Sequence, residues 1–241
     1  MAVIEHTARA FDGALRELTR MTAKMGAYAE RQTIEAVDAL VTRDSERGRR
    51  VVIADTMIDT VQREIEEMAI ATIATRQPVA IDLREIVAAL RISNQLERIG
   101  DLAKNIGKRT VVLDGKRMPR QALRGIVLMT DIAIQLLRDV LDSYSERNAG
   151  KALEVWKSDE KLDAMYSSLA SELLTYMMEQ PTVVTSGIHL LFCGKNIERI
   201  GDHATNIAEA VCYIANGNAF SNQRPKVDTT HIVTIGSKTS F

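Results

Sequence analysis

Acidic residues four positions apart occur at four places in this 241-residue chain. The four pairs are Asp55 with Asp59, Glu97 with Asp101, Asp159 with Asp163, and Glu198 with Asp202. On a helix, residues four apart share a face, and two like charges there destabilise the helix by about 0.2–0.5 kcal/mol. Carboxylate oxygens are the ligands that Mg²⁺, Mn²⁺ and iron accept in proteins. The spacing therefore favours cation binding, with up to four carboxylates converging where two helices that carry such pairs are adjacent.

A second interpretation treats the same acids as ordinary surface charges. Basic residues able to pair with them lie nearby in the sequence, namely Arg98, Lys104, Lys161 and Arg199. Exposed ion pairs of this kind are common and contribute little to stability. From the residues alone, both interpretations remain open.

An internal repeat puts the acidic pairs at matched positions in the two halves of the chain. The segment LERIGDLAKNI at residues 96–106 recurs as IERIGDHATNI at residues 197–207, and eight of the eleven positions are identical. The earlier segment DTMID at 55–59 corresponds to DEKLD at 159–163. Matched motifs in the same order indicate two copies of one structural unit.

The repeated motif lies on a helix whose apolar stripe points away from the acids. At about 100° per residue, Glu97, Asp101 and Lys104 fall opposite this stripe. The stripe consists of Ile92, Leu96, Ile99, Ala103 and Ile106. Gly100 inside a helix costs about 1 kcal/mol relative to alanine, which predicts that another group approaches closely there. His203 occurs in the second copy only, so it is not expected to be a required ligand.

Apolar residues that recur every three or four positions predict an all-α protein. Six helices are expected, at 4–43, 45–76, 79–113, 119–147, 149–179 and 182–217. Long helices joined by short loops pack as antiparallel neighbours, which predicts two pseudo-symmetric three-helix bundles. Their expected limits are 1–115 and 116–217, followed by a poorly ordered C-terminal tail at 218–241. The charged stretch 42–50 is expected to be a corner between helices.

Composition argues against several classes of function. A net charge of -1 predicts no nucleic-acid partner. No apolar run reaches the roughly 20 residues of a membrane span, and the N-terminus does not resemble a signal peptide. Cys193 and Cys212 fall in one predicted helix, too far apart to be bridged, so a reducing, cytoplasmic location is expected.

The sequence also lacks the usual signatures of an enzyme. It contains no glycine-rich phosphate loop, no nucleophile elbow and no Cys/His zinc spacing. The repeat lacks the Glu-x-x-His pairs of di-iron carboxylate proteins, which makes redox catalysis a weaker interpretation. A protein without catalytic activity is expected.

With its doubled E-R-I-G-D motif, the chain resembles the PhoU family of phosphate-uptake regulators. The resemblance extends to the segment RQPVAIDLR at 76–84 and to TYMME at 175–179, and it spans roughly residues 5–217. It implies two three-helix bundles, assembled as a homodimer. It also implies a cytoplasmic negative regulator that couples the ATPase subunit of the phosphate ABC transporter to a sensor histidine kinase.

The resemblance further implies metal ions at the Glu/Asp-x-x-x-Asp motifs. The candidate metal ligands are Asp55, Asp59, Glu97 and Asp101 in the first unit, and Asp159, Asp163, Glu198 and Asp202 in the second. The identity of the metal (Mg, Mn, Fe or Zn) is left open. Two alternative functions are a metal-binding storage or oxidase-like helical protein, and an accessory of another phosphate permease.

Overall fold

Helices make up nearly all of the structure, a computed structural model that describes residues 2–76, 78 and 80–217. The eight α-helices found there are α1 (Ala2–Thr42), α2 (Ser45–Ala54), α3 (Thr56–Arg76), α4 (Ala80–Val112), α5 (Arg120–Ser145), α6 (Ala149–Ser158), α7 (Glu160–Glu179) and α8 (Val184–Asn216). A short 3₁₀ turn, Pro181–Val183, precedes α8. The all-α prediction is confirmed, whereas the predicted tail at 218–241 lies outside the described residues.

The prediction of six helices was wrong at two matched places. The second helix of each unit breaks at an aspartate, Asp55 between α2 and α3 and Asp159 between α6 and α7. Both aspartates keep right-handed helical angles, with φ/ψ of -55/-33° and -71/-24°. Their carbonyls accept hydrogen bonds from the amides three residues on, Ile58 and Leu162, at 2.9 Å in both cases. Each break is thus one tightened turn of the helix. Because the apolar periodicity continues through the turn, the sequence pattern does not predict the break.

The corners between the first and second helices of each unit are also matched. Arg43 and Arg147 adopt left-handed φ angles of 59° and 53°, which is uncommon for residues other than glycine. The following residue caps the next helix in both units. Asp44 accepts a hydrogen bond from the Arg47 amide at 2.8 Å, and Asn148 accepts one from the Gly150 amide at 3.0 Å. The corner predicted at 42–50 is therefore confirmed at residues 43 and 44, and residues 45–50 form the start of α2.

The long third helices, α4 and α8, are central to the fold. In the first unit α1, α2 and α3 pack on α4; in the second, α5, α6 and α7 pack on α8. The two units join where α4 packs against α8, and α1 against α5. The five residues of the predicted stripe on α4 are fully buried. The predicted boundary at 115/116 falls in the connection between α4 and α5.

Two further features bear on the sequence predictions. Among the described residues, no helix combines the length and apolar character needed to cross a membrane.

Cys193 and Cys212 are buried free thiols, so the prediction that they form no disulfide is confirmed.

Candidate functional site

In the first unit, a lysine lies between two of the predicted metal ligands. The Lys104 ammonium donates to Asp55 Oδ2 at 2.5 Å and to Asp101 Oδ1 at 3.2 Å. Asp55 is only 3% exposed, and its other oxygen accepts a hydrogen bond from Gln32 Nε2 at 3.0 Å. Gln32 also donates to the Gly100 carbonyl at 3.3 Å. The Lys104 ammonium thus occupies the position between Asp55 and Asp101 at which a metal ion was expected.

The motif glycine explains how each buried aspartate reaches the third helix of its unit. A Cβ at Gly100 would lie 3.3 Å from Asp55 Oδ1 and 2.7 Å from the Ile58 side chain. A Cβ at Gly201 would lie 2.5 Å from Asp159 Oδ1. The close approach predicted at Gly100 is therefore confirmed, and the approaching groups are an aspartate and an aliphatic side chain from the preceding helices.

Replacing Gly201 with alanine is expected to lower the free energy of unfolding by about 1–3 kcal/mol, because the added methyl group overpacks a filled site. Both Asp159 Oδ1 and Leu162 Cδ2 would lie only 2.5 Å from the new Cβ. Gly13→Ala is the matched control, since a Cβ there meets no atom within 4 Å. Alanine favours helix, so the control should be neutral or stabilising by up to about 1 kcal/mol. Urea unfolding followed by circular dichroism measures both changes, and equal effects would contradict this account of the motif.

The second unit buries more acid and has no lysine at the matched position. Asp159, Asp163 and Glu198 are each 5% exposed or less. The counterpart of Lys104 is Thr205, whose hydroxyl donates to the Asp202 backbone carbonyl at 2.8 Å. The counterpart of Gln32, 104 positions on, is Leu136.

In the second unit, a lysine contacts the acidic motif from a different position on the helix. Lys195 donates to Glu198 Oε1 at 2.8 Å, from one turn earlier on α8. Glu198 Oε2 is buried and has no hydrogen-bond partner among the described residues. The matched acidic motifs therefore lie in different electrostatic surroundings in the two units.

Burial raises the pKa of three of the candidate carboxyls. It is the main cause for Asp59 and Glu97, and nearby carboxylates, Asp55 and Asp101 respectively, add to it. Burial likewise raises the pKa of Glu198 above its ordinary value of 4.5; Lys195 opposes the shift, and Asp202 and Asp163 add to it. Raised values at buried, clustered acids are typical of functional sites, where negative charge is held at some expense of stability.

Replacing Glu198 with glutamine is therefore expected to stabilise the metal-free protein at neutral pH. Because the folded-state pKa is raised, the ionised carboxylate destabilises the fold above that pKa, and the penalty disappears as the pH falls through it toward 4.5. The expected gain is about 0.5–2 kcal/mol at pH 7, shrinking at lower pH. Thermal melts at several pH values measure it, with the exposed Glu154→Gln as a control that should change little. A loss of stability at pH 7 would contradict the conclusion that burial outweighs the Lys195 ion pair at Glu198.

The structure brings some of the predicted ligands together but does not assemble a closed metal site. Asp55 and Asp101 converge on one lysine. Across 2–76, 78 and 80–217, no three Asp, Glu, His or Cys residues are grouped closely enough to hold a metal ion. Glu97, which lies opposite the predicted apolar stripe, is half-buried, with 19% of its side chain exposed. The metal site itself stays a prediction.

His203 belongs to the junction between the two units. Its Nδ1 lies 2.8 Å from Gln95 Oε1 on α4, an oxygen that also accepts from Asn206 Nδ2 at 3.0 Å. Burial, followed by the nearby Arg199, lowers the pKa of the imidazole. The expectation that His203 is not a required ligand stays a prediction.

Sequence reasoning missed two side chains that bind the acids. Gln32 comes from α1, and nothing in the local pattern connects it to Asp55. Lys195 lies three residues before Glu198, a spacing that does signal an ion pair on a helix. Comparing the two copies would have shown that its counterpart in the first unit is Asn94.

Known proteins match both units of this fold. A family model described as the PhoU domain matches residues 22–110 and again residues 126–211. The crystal structure of PhoU from Pseudomonas aeruginosa superposes with a TM-score of 0.82 at 32% identity, covering 86% of this chain and 100% of that chain. The phosphate transport system regulatory protein PhoU from Streptococcus pneumoniae gives a TM-score of 0.80 at 26% identity, covering 88% of this chain and 100% of that chain.

Sequence relatives extend over nearly the whole chain. The phosphate-specific transport system accessory protein PhoU homolog of Rhizobium meliloti (strain 1021) is 48% identical over 234 residues, 97% of this chain and 98% of that protein. A protein of the same description from Caulobacter vibrioides is 46% identical over 93% of this chain and 97% of its own length. The paired domain matches and this near-full-length similarity show that the chain belongs to the PhoU family.

Proposed function

We propose that this chain is a cytoplasmic, non-enzymatic regulator that couples a phosphate ABC transporter to a sensor histidine kinase. The observation that carries the proposal is the 48% identity, over 97% of the chain, to a protein named as an accessory of the phosphate-specific transport system. Under this proposal the chain contacts the ATPase subunit of the transporter and the kinase. When phosphate is plentiful, it restrains the phosphate-starvation response and limits uptake. It acts as a homodimer.

The carboxylate motifs are proposed to bind a divalent cation or iron, with the second unit as the preferred site. Asp159, Asp163, Glu198 and Asp202 would supply the oxygen ligands there, and the cation would offset negative charge that the fold buries. In the first unit, Lys104 competes with any cation for Asp55 and Asp101. The chemistry assigned to the metal is charge neutralisation and cross-linking of helices.

Deleting the gene should raise phosphate-starvation gene expression in phosphate-rich medium. A promoter fusion to a reporter enzyme measures this, and the wild-type gene supplied in trans should restore repression. Unchanged expression in the deletion strain would contradict the regulatory proposal.

Co-purification from cells separates this function from its alternatives. A tagged chain should retain the transporter ATPase and the kinase. Recovery of a single-component phosphate permease alone would indicate an accessory of a different transporter. High iron loading with metal-dependent turnover, together with unchanged phosphate signalling in the deletion strain, would indicate a storage or oxidase-like protein.

A further inference from the structure

A groove between the end of α1 and the start of α5 combines an apolar floor with a basic rim. The floor includes Leu123, Val127 and Leu128, and the rim consists of Arg43, Arg120 and Arg124. We call this surface the arginine groove; its volume is about 490 Å³. Leu128 is 56% exposed and Val127 is 36% exposed, so apolar surface remains in contact with water.

Among the residues that the structure describes, none that lines the arginine groove is acidic. Across the described part of the chain, the guanidinium groups of Arg43, Arg120 and Arg124 form neither an ion pair nor a hydrogen bond. Other exposed arginines do pair with acids, such as Arg138, which contacts Glu30 at 2.5 Å. Three guanidinium groups around one concavity repel each other, and a bound anionic partner would relieve that repulsion.

A matched groove, which Arg16 and Thr19 of α1 form with the end of α5, shows that this arrangement is not a property of the repeat. The counterparts of Arg43 and Arg124 are Arg147 and Arg20, which pair with Glu85 at 2.7 Å and with Glu17 at 2.5 Å. The matched groove is also more polar, because Thr19 and Ser145 replace Leu123 and Val41.

The acid that neutralises the matched groove has no counterpart near Arg43. The position in α8 that corresponds to Glu85 in α4, by the 101-residue offset of the repeat, is Ser186. Ser186 is buried, and its hydroxyl donates to the Val183 carbonyl at 3.0 Å. The groove beside Arg43 thus lacks the intramolecular acid while keeping the arginine.

We propose that the arginine groove binds an acidic amphipathic segment of a partner protein. One or two apolar side chains of the segment would rest on Leu123 and Leu128, and flanking carboxylates would pair with the rim. Guanidinium groups suit this role because they bind carboxylates through two parallel hydrogen bonds. A concave floor fits an inserted side chain better than a flat bilayer surface, and a net charge of -1 gives no general attraction to anionic lipid. The inference deepens the proposed function by locating a docking surface, although its test does not depend on that function.

Site-specific photo-crosslinking in living cells tests the proposal. A benzophenone amino acid replaces Leu128, and a control protein carries it at Lys24, the matched exposed position of the other groove. Mass spectrometry then identifies the cross-linked peptide. The expected product, from position 128 only, is a protein segment with at least two Asp or Glu residues beside apolar ones.

A synthetic peptide of that segment is then titrated against purified protein. Arg120→Glu/Arg124→Glu should weaken its binding at least tenfold, whereas the matched Arg16→Glu/Arg20→Glu pair should not. Thermal melts establish that both variants fold. A peptide with its acids changed to lysine should bind the Arg120→Glu/Arg124→Glu variant better than it binds wild type, which controls for damage to the groove.

Several outcomes would overturn the proposal. In the cross-linking experiment, these are a product with phospholipid, with a second copy of this chain or with a segment without acids, or the lack of any specific product. In the peptide titration, it is an unchanged affinity of the Arg120→Glu/Arg124→Glu variant. Because the regulatory function is tested separately by gene deletion, it stands or fails independently of these results.

Discussion

Replacing Lys104 with methionine is expected to lower the free energy of unfolding by about 3 kcal/mol, because it leaves the carboxylate of Asp55 buried without its cation. Removing one partner of a buried ion pair costs about 3–5 kcal/mol, and the lower end applies because the Lys104 side chain is 27% exposed. For a protein of this size, the melting temperature should fall by roughly 6–12 °C. Methionine keeps the aliphatic stem, so the loss reports on the ammonium group.

The matched control for this change is Lys108→Met, four residues further along α4 on an exposed position. Its melting temperature should change little, since exposed charges contribute little. The hydrogen bond to Asp55 is the main cause of a raised pKa at Lys104. Stability gained from a raised lysine pKa is present throughout the neutral range and is lost only in strong alkali. The difference between wild type and Lys104→Met should therefore be as large at pH 9 as at pH 7, and a similar loss in both lysine variants would contradict the assignment.

Exchanging the residues at the matched positions 104 and 205 should reverse the metal preference of the two units. Wild-type protein, stripped of metal, is expected to bind Mn²⁺ through the acids of the second unit. Thr205→Lys would place an ammonium group among those acids and should weaken binding by about 10- to 100-fold. Thr205→Val removes only the hydroxyl and is the matched control. Isothermal titration calorimetry measures all three affinities.

Thr205 is 1% exposed, so its replacement by lysine also strains the packing, and a reciprocal change keeps the test decisive. Lys104→Thr should add a second Mn²⁺ site, because it frees Asp55 and Asp101 from their internal cation. In this variant, Mn²⁺ should also recover part of the stability lost with the ammonium group. Wild-type affinity in Thr205→Lys, together with no added site in Lys104→Thr, would rule out this assignment of the two units.

Much of the fold follows from repetition and periodicity. The stripe from Ile92 to Ile106 repeats at helical spacing, and burying it requires neighbouring helices. Gly100 is unfavourable in a helix, and that local cost predicts close packing without identifying the group that packs there. Such features are predictable because each depends on residues within a few turns of one helix.

The features that decide the chemistry depend on contacts between distant segments. Asp55 is 49 residues from Lys104 and 23 residues from Gln32, yet both bind its carboxylate. The breaks at Asp55 and Asp159 contain neither proline nor glycine, so nothing marked them in the pattern. The difference between Lys104 and Thr205 was visible in the repeat, but its meaning required the position of Asp55.

The two units thus keep one scaffold and differ in where charge is neutralised. In the first unit Lys104 contacts Asp55 and Asp101, whereas the acidic motif of the second unit has no lysine at that position. The two grooves between α1 and α5 also differ: Glu85 pairs with Arg147 in the matched groove, whereas the residues lining the arginine groove include no acid. Duplication followed by such exchanges would let one chain present an anion-binding groove between α1 and α5 and a cation-binding site in the second unit.

The regulatory account is tested most directly by phosphate uptake itself. Uptake of radiolabelled phosphate is measured in phosphate-rich medium, in wild-type cells, in cells lacking this chain, and in deleted cells carrying the gene in trans. The account predicts that uptake stays high in the deleted cells, where wild-type cells restrict it, and that the gene in trans restores the restriction. Equal uptake in all three strains would contradict it.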